Sequence, residues 1–83
     1  MCSSDLHKVM QNIRQLIEEA GGSMEHLCKV VVYITDVRHR EAVYRTMGEY
    51  IKGVHPVSTG LVVTALARPN WLVEIDATAV IPD

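Results

Sequence analysis

An α+β domain, one sheet with two helices on one face, is the fold this sequence predicts, on three observations. Residues 6–20 carry apolar side chains at spacings of three and four; residues 27–35 are a β-branched run; residues 57–80 alternate in two strand-like segments. The order helix, strand, helix, strand, strand suits helices segregated to one side of a sheet.

Met1 to Asp5 differs in character from the rest of the chain. Cys2-Ser3-Ser4-Asp5-Leu6 is also what one reading frame of a common sequencing-adaptor end encodes. The expectation is a non-native start at residues 1–5 and a single domain over 6–83; the other reading is an ordinary start in which Ser4 or Asp5 caps the helix. From Leu6 to Ala20 the residues Leu6, Val9, Met10, Ile13, Leu16, Ile17 and Ala20 make one helical stripe, with polar residues opposite. Gly21-Gly22 ends that helix, because glycine enters the left-handed conformation of a C-cap without steric cost. Ser23 opens a short turn through His26.

Leu27 to Thr35 reads as a strand apolar on both faces, which predicts cover on both sides. Cys28 within it reads as a small core residue. Asp36 is the N-cap of a second helix over Val37–Lys52, with Val37, Val43, Met47, Tyr50 and Ile51 as its inner stripe. Arg38, Arg40 and Arg45 read as a solvated basic side. Two strands come next, Val57–Leu66 and Trp71–Val80, joined as a pair by Ala67-Arg68-Pro69-Asn70, where Pro and Asn supply turn chemistry. In the last strand Val73, Ile75, Ala77 and Ala79 point one way and Glu74, Asp76 and Thr78 the other.

Composition narrows the function. The chain has 83 residues, enough for one small domain, and 48% of them are hydrophobic, which is globular composition. Eight Lys+Arg against ten Asp+Glu give a net charge of −2, so there is no electrostatic footprint for nucleic acid or an anionic membrane. No run is long enough for a membrane span. Two cysteines, Cys2 and Cys28, make neither a disulfide framework nor a metal motif, and a reducing cytoplasmic setting is expected. The four histidines lack ligand spacing, so neither metal nor cofactor is implied. Glu74 draws notice as a carboxylate between apolar neighbours on a strand. Such a group can move protons in hydrolysis, although alternating Glu and Asp on a strand also make an ordinary solvated face.

Three segments, in this order and spacing, resemble the C-terminal two thirds of the RidA/YjgF family. They are Val31-Val32-Tyr33-Ile34-Thr35-Asp36, Pro56-Val57-Ser58-Thr59 and Val73-Glu74-Ile75-Asp76-Ala77-Thr78-Ala79-Val80; Glu18-Glu19-Ala20-Gly21 fits the end of the family's first helix. The resemblance implies a RidA-like (chorismate-mutase-like) fold lacking the family's N-terminal strands. It also implies a homotrimer whose intersubunit clefts hydrolyse reactive enamines and imines, such as 2-aminoacrylate, to a keto acid and ammonia. Glu74 falls on the glutamate that positions the hydrolytic water. Ser58 falls where deaminating members have an arginine for the substrate carboxylate, and a hydroxyl is no substitute for a charged planar fork. Thr59 matches the serine that comes after it. Gly60 stands in place of a cysteine or threonine, and Tyr44 in place of an asparagine. Glu74 is thus the catalytic candidate, with Ser58, Thr59, Gly60 and Tyr44 as substrate-binding candidates. Two functions remain: hydrolytic deamination of a small-molecule enamine or imine, or a non-catalytic trimeric small-molecule-binding or regulatory module.

Overall fold

The computed structural model describes residues 3–82. Helix α1 spans Ser3–Glu19, strand β1 Leu27–Ile34, helix α2 Arg40–Tyr50, strand β2 Val57–Val62 and strand β3 Val73–Ala79. The α+β class and the element order are those the sequence predicts. The expectation of a non-native start falls partly on Met1 and Cys2, which lie outside the described residues. Helix α1 starts before Leu6, with Asp5 in its first turn, where a carboxylate favours the positive end of the helix dipole.

Leu6, Met10 and Ile17 are the buried stripe of α1. Leu16, expected in that stripe, is 66% exposed; at 100° per residue it sits roughly 100° away from the mean Leu6–Met10–Ile17 direction. The helix closes on Gly21, at φ +93°. The Gly22 N–H donates to Ile17 O and the Gly21 N–H to Glu18 O, both at 3.0 Å, so two terminal carbonyls are satisfied by a left-handed cap. Gly21→Ala is expected to cost about 1 kcal/mol by the strain of a Cβ at positive φ, read as a lower urea midpoint at unchanged slope. Ser23 opens a one-turn helix over Met24–His26, its N–H donating to His26 Nδ1 at 3.0 Å.

Asp36 caps as expected, but what it caps is a one-turn helix, Val37–His39, that precedes α2. Its carboxylate accepts from the Arg38 N–H and from the Arg38 guanidinium, and these bonds hold its carboxyl well below the usual carboxylate range. The cap is therefore complete above the ordinary carboxylate pKa and is lost only as pH falls far below it. Val37 belongs to this turn and is exposed. Val43 and Met47 are the buried face of α2. Across the two helices the Tyr50 hydroxyl and His7 Nδ1 are hydrogen-bonded at 2.9 Å.

The sheet order is β2-β1-β3, with β1 parallel to β2 and antiparallel to β3. The expected pairing of the last two strands is therefore wrong: β1 lies between them. The reason is nonlocal. Val30, Val32 and Ile34 make β1 the most apolar strand, and its central position lets both neighbours pair with it while its side chains meet both helices. The Pro69-Asn70 turn does form, with the Trp71 N–H donating to Arg68 O at 3.1 Å, but it lies in the connection from β2 to β3 that crosses the end of β1. β2 accordingly stops at Val62, where its partner ends at Ile34.

Register fixes the faces. Val30, Val32 and Ile34 pair with Ala77, Ile75 and Val73 on one side and with Ser58, Gly60 and Val62 on the other, and all point toward the helices. Val31 and Tyr33, with Thr59, Leu61, Glu74 and Asp76, line the opposite face. Among the described residues that face carries no helix, so β1 is covered by them on one side rather than two. A register shift between Leu27 and Lys29 turns Cys28 out of the expected core; it is exposed, its Sγ 3.3 Å from Thr78 O.

Candidate functional site

The structure gathers three of the expected site residues and separates two. Ser58 and Gly60, two apart on β2, share the helix-facing side. There they meet Tyr44, and Arg40, Glu41, Tyr44, Ser58 and Gly60 line an open depression of about 460 Å³. Gly60 is required by the contact: a Cβ there would run into the Tyr44 hydroxyl, which already fills the space a side chain at 60 would take. Gly60→Ala is expected to cost about 1 kcal/mol by displacing the phenol, and Tyr44→Asn should cancel that cost in a double-mutant cycle by thermal denaturation.

Thr59 points to the other face, level with Val31 and Asp76. Glu74 is also on that face, opposite Tyr33, with Leu61 one strand further. Its cross-strand neighbour comes from β1 and not from a paired β2, and Asp76 lies two residues along the same face. Glu74, Val73 and Trp71 of the β3 segment, with Asp5 and Val9 of α1, line a groove of about 510 Å³ along the free edge of β3. Ser58 and Glu74 thus lie on opposite faces of the sheet, two strands apart and offset by three residues along them, roughly 10 Å in each direction at the usual strand dimensions.

Sequence reasoning misses Arg40. The sequence groups it with Arg38 and Arg45 as solvated charge, yet Arg38 is bound to Asp36 and Arg40 lies over the Tyr44 ring, 5.8 Å from its centroid. A signal is present: residues four apart share a helix face, so Arg40 has to accompany Tyr44. Among the described residues no group of three His, Cys, Asp or Glu side chains could hold a metal ion, and no helix is long and apolar enough to cross a membrane.

The family model described as Endoribonuclease L-PSP matches residues 2–81. A RutC family protein of Pyrococcus abyssi is 31% identical over 72 residues, covering 87% of this chain and 56% of its own. A solved member of the YjgF/YER057c/UK114 family from Mycobacterium tuberculosis aligns with a TM-score of 0.86 at 26% identity, over 92% of this chain and 64% of that one. RidA from an Antarctic Psychrobacter aligns at 0.85 and 25% identity, over 93% and 62%. The chain spans about half the length of the curated relatives it matches.

Proposed function

The chain belongs to the YjgF/RidA (endoribonuclease L-PSP) family, and from that membership we propose that it hydrolyses reactive enamine or imine intermediates to a carbonyl product and ammonia. The observation that carries this reading is Glu74, a carboxylate on the open sheet face with Tyr33 beside it on β1. Imine hydrolysis adds water across C=N: a C–O bond forms, the nitrogen gains the water's protons, and the C–N bond breaks to release ammonia. Glu74 takes the proton from the attacking water and returns it to the departing nitrogen. No redox partner or cofactor enters that balance.

One chain does not hold both halves of the site. Glu74 of one copy and the Ser58 depression of another compose it, in a homotrimer. Support for self-association comes from the open face, where Val57 is 68% and Leu61 45% exposed beside half-buried Val31 and Tyr33. The proposed setting is the cytoplasm.

The test is ammonia release from a 2-imino acid generated in situ by an amino-acid oxidase. Release faster than buffer supports the reading, and a rate equal to buffer overturns it. Ser58 favours a second reading, a trimeric binding module that kept the cleft without turnover, and Ser58→Arg would then create activity. A ribonuclease reading draws on the family description alone; a net charge of −2 offers little for a phosphate backbone.

A further inference from the structure

We infer that Arg40 is the cationic anchor of the depression beside β2, so that the substrate's anionic group is held from helix α2 and not from the strand position that Ser58 occupies. The inference rests on the deaminase reading above and names its substrates as imines that carry a carboxylate.

Four observations carry it. First, Arg40 is uncommitted: the three ion pairs among the described residues join His7 to Glu49, His26 to Glu25 and Arg38 to Asp36. Second, its guanidinium lies over the Tyr44 ring, which narrows its rotamers and leaves the edge of the donor fork open. Third, the absence of a side chain at Gly60 lets the Tyr44 hydroxyl reach over the strand, so a phenol donor joins the lining of the same depression. Fourth, Ser58 lines the same depression and adds a hydroxyl. A guanidinium and two hydroxyls around one open concavity are a donor set for a small carboxylate.

Glu41 lines the depression as well and opposes an anion there. Its charge and that of Arg40 should therefore act in opposite directions on an anion bound there. Removing the Glu41 charge should tighten anion binding, and removing the Arg40 charge should loosen it.

The experiment titrates the full chain with pyruvate, a product-like keto acid, and with acetone as its uncharged counterpart, following the amide resonances of Ser58 and Gly60. Arg40→Gln is expected to weaken pyruvate binding by about 10- to 100-fold, the range for a hydrogen bond to a charged group, and to leave acetone unchanged. Glu41→Gln should strengthen pyruvate binding, Arg40→Lys should retain part of it, and Ser58→Arg added to Arg40→Gln should restore it. Equal pyruvate binding by wild type and Arg40→Gln, or no preference for pyruvate over acetone, overturns the inference. Pyruvate binding through Arg40 without imine turnover would defeat the catalytic reading, and with it the imine substrates, and would leave Arg40 as the carboxylate anchor of a binding site. Imine turnover with pyruvate binding indifferent to Arg40 would do the reverse.

Discussion

Glu74→Gln is expected to lower kcat/KM for imine hydrolysis by about 10²- to 10⁴-fold, the usual worth of a positioned general base. The substitution keeps shape and hydrogen-bonding reach and removes the proton acceptor, so the water is still held but no longer deprotonated. Stability should hardly change. Glu74 is exposed on the open face and takes part in no ion pair among the described residues. A loss of rate with an unchanged thermal midpoint would therefore report chemistry. Asp76→Asn is the matched control, because Asp76 lies two residues along the same strand and face, opposite Val31. If the Glu74 variant keeps the wild-type rate, the carboxylate is surface and the deaminase mechanism assigned to it fails. If both variants lose rate alike, the charge of the face matters and the individual base does not.

What the sequence makes legible is set by neighbours along the chain. The left-handed cap at Gly21, the Asp36 cap and the alternation of Val73 to Ala79 each depend on a few consecutive residues, and each forms where expected. What it conceals is set by contacts distant in sequence. Pro69-Asn70 carries the same turn chemistry whether the turn joins paired strands or crosses the end of a third, so local signals could not place β1 between β2 and β3. That one difference decides the site: with β1 interposed, the register sends Ser58 to the helix side and Glu74 to the open side. The shift that exposes Cys28 is likewise a property of the β1–β3 ladder, with no mark in β1 itself. Arg40 differs. Its four-residue offset from Tyr44 is visible in the sequence, and the depression that the pair lines is not, because Gly60 comes from a strand distant in sequence.

Two inactive variants should regain activity together. Ser58→Trp fills the depression beside β2 with an indole, and Glu74→Gln removes the base on β3; alone, each should reduce imine hydrolysis to near the buffer rate. The opposite faces and the interposed β1 keep these two positions from one substrate within a chain. If every site takes Glu74 from one copy and Ser58 from its neighbour, random assembly of equal amounts leaves about a quarter of the sites with both residues intact. The mixture, co-expressed or refolded together, should then recover about a quarter of the wild-type rate, whereas folded homo-oligomers combined without exchange should recover none. The same fraction is expected for any closed ring of subunits, since only pairs of neighbours count. No recovery in the co-assembled sample would show that the two positions do not serve one intersubunit site, and that the sheet separating them within a chain separates two unrelated surfaces.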